Sequence, residues 1–136
     1  MTKSMIGVSA AVLAAPLLAL SPAVGHADVN LSGRWQSSDY ECPGGTKHTE
    51  RLQITQDGTH ISGVKTLGDN CVPTGHESFN GTVTGNSGKL RFWTGAPGYQ
   101  PILSAANEDL VIQDANTFVM SGPAGKYKVT RATTPN

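Results

Sequence analysis

The sequence predicts an all-β fold, an antiparallel up-and-down barrel of about eight strands. Three observations carry that expectation. Beyond residue 27, apolar and polar residues alternate with period 2 in one short segment after another. Turn dipeptides of Gly, Asn and Asp separate those segments, and no stretch of ten or more residues follows a helical period. The composition agrees: 16 Gly, 8 Pro and only 15% charged residues argue against a coiled coil or long-helix protein.

Residues 1–27 stand apart from that pattern. Lys3 supplies a positive start, Ile6 to Leu20 form an apolar run, and Gly25 and Ala27 take the −3 and −1 positions of a cleavage site before Asp28. The segment reads as a secretory signal peptide cleaved near Ala27, because its apolar run is short for a crossing of about 20 residues and ends in Ser-Pro. An uncleaved anchor helix is the competing reading. The expectation is therefore a secreted protein (extracellular or cell envelope) of bacterial appearance. Residues 28–136 would form a single β-barrel domain with no membrane span in the mature chain. Lys3 leaves with the leader, so ten basic residues become nine against ten acidic ones, a balance of −1. No net field favours nucleic acid or an anionic membrane.

Cys42 and Cys71 both remain after cleavage. Two cysteines in a small exported domain are read as one disulfide, whose loop of about 30 residues contributes ~3–4 kcal/mol on the chain-entropy argument. A close C-x-x-C pair is absent, and zinc would need further soft ligands where only the scattered His48, His60 and His76 are available. Neither a metal nor another cofactor is expected.

The elements follow in order. Leu31 to Ser37 makes the first strand. In Thr49 to Gln56, Leu52 and Ile54 face one way and Arg51, Gln53 and Thr55 the other. Asp57-Gly58 then predicts a hairpin with both turn positions at positive φ. The return strand, His60 to Leu67, carries Ile61 and Val64 with Gly63 between them, which suggests a bulge. Ser78 to Thr84 places Phe79, Gly81 and Val83 on one face, and Gly85-Asn86-Ser87-Gly88 turns into Lys89 to Thr94. There Leu90 and Phe92 alternate with Arg91 and Trp93; with Phe92 in the core, Trp93 faces outward. After a Gly/Pro-rich loop come Ile102–Leu103, Leu110–Gln113, Thr117–Ser121 and Tyr127–Arg131. A meander this long removes its edges by closing into a barrel; a two-sheet sandwich is the alternative closure.

The opening strand, Leu31-Ser32-Gly33-Arg34-Trp35, resembles the Gly-x-Trp start of the calycin superfamily of lipocalins, fatty-acid-binding proteins and avidins. That resemblance implies a barrel floor in which a basic residue of the last strand packs across the Trp ring. Arg131 holds the matching place, so Gly33, Trp35 and Arg131 would form the floor. A second segment, Lys65 to Phe79, resembles the T-G-D-x-x-V-P-x-G-x-x-S/T-F stretch of the lipocalin-like domain in F-box cyclin-binding adaptors and EXECUTER proteins. Leu67 and Cys71 depart from that pattern. The ubiquitin-ligase and plastid roles do not carry over to an exported chain; the shape of the loop does.

Without the family, the same loop offers Asp69 and Asn70 as polar groups and Val72, Pro73 and Phe79 as an apolar wall for a ligand at the barrel mouth. Asp69 and Asn70 could equally commit their oxygens to the loop's own amides. Catalytic signatures are absent: no G-x-S-x-G, no H-E-x-x-H and no phosphate-cradling glycine loop. The carboxylates Asp39, Glu41, Glu50, Asp69 and Glu77 show no spacing that singles out a pair. The sequence thus points to a non-catalytic binding protein that holds a small apolar or amphipathic ligand in or at the mouth of the barrel. The alternative is an interaction or inhibitor module that sets its disulfide-stapled loops against a protein or peptide terminus.

Overall fold

Alternation gives each strand one apolar face, and a sheet that closes on itself lets all those faces share one interior. The structure, a computed structural model, describes residues 29–42, 46–105, 107–122 and 125–133. The expected leader and its cleavage position lie outside the described residues, as do residues 43–45 of the loop after the first strand. Eleven strands are described: β1 (Gly33–Ser37), β2 (Tyr40–Cys42), β3 (Thr46–His48), β4 (Arg51–Asp57), β5 (His60–Leu67), β6 (Glu77–Thr84), β7 (Ser87–Thr94), β8 (Ile102–Leu103), β9 (Glu108–Asp114), β10 (Thr117–Gly122) and β11 (Gly125–Arg131).

Eight of them form a closed antiparallel ring in the order β1, β4, β5, β6, β7, β9, β10, β11, and back to β1. The ring is sealed where Trp35 of β1 stands opposite Arg131 of β11. Outside it, β2 and β3 pair as a hairpin, and the two residues of β8 lie against the end of β7, Leu103 opposite Trp93. The expected barrel is therefore present, with the β2–β3 hairpin as an addition that the sequence pattern did not announce.

The two ends of the barrel differ. At the end where β1 begins, β4–β5, β6–β7 and β9–β10 are each joined by two residues only. At the other end, the rim, β10 and β11 are also joined by two residues, but the remaining connections are long: the β2–β3 hairpin, the loop 68–76 and the segment 95–107 that contains β8. Two of the short turns place glycine first, with Gly58 and Gly85 both at φ 59°. This corrects the expectation of positive φ at both Asp57 and Gly58. The turn is Gly58-Thr59 between the paired Asp57 and His60, and no described non-glycine residue has positive φ.

Three register shifts tune the wall, at Thr117/Phe118, Arg51/Leu52 and Gly63/Val64. Between Gly63 and Val64 the pairing with β6 slips, where a bulge was expected, and the unpaired residue is Ser78 on the partner strand. β5 itself keeps its alternation, so its inward positions are Ile61, Gly63 and Lys65, while Val64 is 37% exposed. Gly63 is needed there because a Cβ would lie 2.5 Å from Cε1 of Phe79, whose ring covers it. Leu31, Trp35, Leu52, Ile54, Ile61, Phe79, Leu90, Leu110, Phe118 and Met120 all have zero exposure and form one cluster through the barrel. A side chain with no accessible surface borders no water-sized void, so the interior is filled over most of its height.

Candidate functional site

The short-turn end is built around Gly33, Trp35 and Arg131. The Arg131 guanidinium lies 4.3 Å from the centre of the Trp35 ring. Its nitrogens donate to the carbonyls of Ser32 (3.0 Å), Asn30 (3.1 Å) and Ala115 (2.9 Å), and the Trp35 indole donates to the Leu31 carbonyl at 2.7 Å. Gly33 sits at φ 131°, and a Cβ there would meet Arg131 Nη1 at 3.0 Å. One side chain thereby ties the incoming segment, β1 and the β9–β10 turn together. Leu31, Trp35 and Phe118 have no exposure, so the barrel interior is closed at this end.

The rim holds a different arrangement. Two residues on the inward phase of their strands carry charge: Glu50, in step with Leu52 and Ile54, and Lys65, in step with Ile61 and Gly63. Lys65 Nζ lies 3.0 Å from Glu50 Oε2 and 2.7 Å from Asp69 Oδ2, and all three side chains are at most 5% exposed. The same ammonium donates to the Tyr40 hydroxyl oxygen at 3.1 Å, and that hydroxyl donates in turn to Asp69 Oδ2. Ser78, the bulge residue, reaches Glu50 at 3.4 Å. Asp69 uses its other oxygen within the loop, accepting the amides of Cys71 and Val72 at 2.7 Å each. Four elements thus meet on one ion-paired knot: the hairpin, the end of β5, the loop 68–76 and the entry to β4.

Burial raises the Asp69 carboxyl, but hydrogen bonds from Lys65, Tyr40 and the Val72 amide outweigh it and hold the group at about 2. Burial also raises the Glu50 carboxyl, and there the neighbouring Lys65 charge does not outweigh it. Burial, with Asp69 and Glu50 close by, pushes the Tyr40 phenol up, and Tyr127, facing the same carboxylates from β11, is also raised. Both tyrosines are neutral at physiological pH. The Tyr40 and Tyr127 rings are 5.6 Å apart, and Tyr127 continues to Phe92 at 6.4 Å and Phe79 at a further 5.9 Å. An aromatic file therefore runs from the rim into the core.

A disulfide joins Cys42 of the hairpin to Cys71 of the loop, with Cα atoms 6.4 Å apart. Ligand atoms of Cys42, Asp69 and Cys71 lie within 4.8 Å of one another. Both sulfurs are consumed by their mutual bond, so that group offers no thiolate to a metal. The third rim segment leans on the same point: a Cβ on Gly95 would collide with the Cys71 carbonyl oxygen. Beyond it, Tyr99 and Ile102 are 78% and 68% exposed.

The residues proposed from sequence for ligand contact divide. Asp69 lies inside the knot, and Val72 is buried behind it. Asn70 and Pro73 face solvent from the loop, whereas Phe79 has no exposure and packs one level deeper against Phe92 and Gly63. Of the five carboxylates noted in the sequence, Glu50 and Asp69 are brought onto one cation. Sequence reading missed Lys65, Tyr40 and Ser78. The available signal was a lysine on the inward phase of an otherwise apolar alternation, since such a residue is buried only with partners. Trp93 is half-buried, its indole donating to Glu77 Oε1 at 2.9 Å and its ring edge-on to His76. Compared with protein-family models, curated proteins and solved structures, the chain matches none.

Proposed function

We propose that this chain is an exported, non-catalytic binding protein of calycin-like build that recognises a protein or peptide partner with its rim. The calycin likeness rests on the closed eight-strand ring together with Gly33, Trp35 and Arg131 at the short-turn end. The observation that carries the function is a rim of three segments, cross-braced by the Cys42–Cys71 bond and the Gly95 contact, standing over a filled interior. Recognition on such a rim loses little conformational freedom, about 0.5–1.5 kcal/mol less for each side chain already held. Pro73, Tyr99 and Ile102 offer the exposed apolar and aromatic contacts that anchor protein interfaces.

A second reading, a small amphipathic molecule laid across the mouth, is supported by the Tyr40–Lys65–Asp69 knot next to Tyr127 and Phe92, which sets polar groups beside an aromatic file. Native mass spectrometry of protein secreted by its own host tests both. A co-purifying polypeptide lost in the Tyr99→Ser/Ile102→Ser variant supports rim recognition. A stoichiometric small adduct that survives this variant and is lost in Asp69→Ala supports the second reading. A bare chain in every sample overturns both.

A further inference from the structure

The bulge in β6 has an effect on the outside of the barrel as well as the inside. Glu77 and Asn80 are an odd number of positions apart, so strict alternation would send them to opposite faces. Ser78 and Phe79 are instead both buried, the phase slips by one, and Glu77 and Asn80 share the outer wall. On the neighbouring strand Arg91 stands opposite Asn80, and Trp93 follows it on the same face. Glu77 Oε1 accepts from the Trp93 indole at 2.9 Å and from Asn80 Nδ2 at 2.6 Å. Arg91 Nε is anchored on the Ser104 carbonyl at 3.1 Å, and the His76 ring lies edge-on to Trp93 at 4.9 Å.

Holding outer-wall side chains in one geometry costs conformational freedom, and hydrogen bonds at the surface offset little of it. The groups that this network leaves over point to a ligand. Among the described residues, Glu77 Oε2, Asn80 Oδ1 and the terminal nitrogens of Arg91 have no partner. His76 donates from Nδ1 to the Glu77 carbonyl at 2.7 Å, which leaves Nε2 of the neutral ring as an acceptor. Free donors and acceptors thus surround a half-buried indole, and Val64, exposed and opposite Glu77, adds an apolar side chain at the edge. A sugar hydroxyl both donates and accepts, and the C–H face of a pyranose packs on an aromatic ring. One carboxylate and one guanidinium cancel, so the cluster selects a neutral molecule.

We propose that this cluster binds a neutral oligosaccharide of β-linked, equatorially substituted pyranoses, one sugar ring stacked on Trp93 and its vicinal hydroxyls bonded to Glu77, Asn80 and Arg91. The groups it uses are not those of the rim reading, so its failure would leave that reading intact. The full chain as released by its host is titrated with cellohexaose and with N-acetylchitohexaose, and with AMP as a charged stacking molecule for comparison. Indole emission and calorimetric heat are read together; Trp35 is buried at the opposite end of the barrel, so a saturable change in emission reports on Trp93. Saturation by at least one of the two saccharides is expected. Arg91→Ser and Asn80→Ala each weaken it about tenfold, as for one lost hydrogen bond in which a charged group takes part or is held in place. Trp93→Ala abolishes it, and Lys126→Ser, on β11, leaves it unchanged. Far-UV circular dichroism checks that each variant is folded, and Arg91→Ser and Asn80→Ala decide the matter if Trp93→Ala is not. Absence of heat and emission change with both saccharides, undiminished binding in Arg91→Ser and Asn80→Ala, or saturation by AMP alone would each overturn the proposal.

Discussion

Lys65 occupies an inward strand position of the kind usually given to an apolar side chain, and Glu50 and Asp69 make it tolerable by accepting from its ammonium at 3.0 and 2.7 Å. Removing the cation alone leaves two buried carboxylates facing each other. Lys65→Met should therefore cost ~3–5 kcal/mol in urea denaturation, and adding Glu50→Gln should restore part of the loss. An unchanged midpoint for Lys65→Met would mean that the knot contributes nothing to stability. At the opposite end, Gly33 combines a positive φ with close approach to Arg131. Gly33→Ala strains the backbone and displaces the guanidinium, for an expected cost of ~1–3 kcal/mol in thermal melts. The neighbouring exposed substitution Arg34→Ala provides the comparison and should change little.

At the level of elements, the β2–β3 hairpin sits outside the ring and depends on tertiary ties rather than on sheet neighbours. Its ties are the disulfide at Cys42 and the Tyr40 hydroxyl in the knot. A two-stranded hairpin is marginal alone in water. Cys42→Ser should lower stability by roughly 2–5 kcal/mol. Hydrogen exchange would locate the effect: faster exchange in 40–48 and 68–76, with β6, β7 and β10 still protected. Uniform loss of protection across the barrel would show instead that the staple is part of the global folding unit.

For the molecule as a whole, the knot sets a pH dependence whose two limbs have opposite signs. Asp69 is held at about 2, below its ordinary 3.8, so it stabilises the fold above pH ~4 and that contribution is lost as pH falls towards 2. Glu50 is raised from 4.5, so its ionisation on burial works against the fold as pH climbs above that value. The urea midpoint should rise steeply from pH 2 to about 4 and then level or decline slightly. Asp69→Asn should flatten the acid limb. An acid limb as steep in Asp69→Asn as in the parent would place its origin elsewhere.

The strands, the short turns and the closed barrel were legible in the sequence because each depends on neighbours a few residues away. Alternation sets the face, Gly-X and Asp-Gly dipeptides set the reversals, and a ring of eight such strands is a compact way to leave no edge. The disulfide was legible too, since two cysteines in one small domain have no other partner. The identity of the turn at Gly58-Thr59 was read one residue early, because a two-residue loop is defined by which residues pair across it. What only the tertiary structure decided is the rim. Tyr40, Glu50, Lys65 and Asp69 come from four separate elements, and no local pattern says that a buried lysine will find two carboxylates and a phenol. The filled interior was likewise decided in three dimensions. It depends on how Trp35, Phe79, Phe118 and Met120 share one volume once the register shifts have staggered the strands, a sum over distant residues that alternation cannot carry.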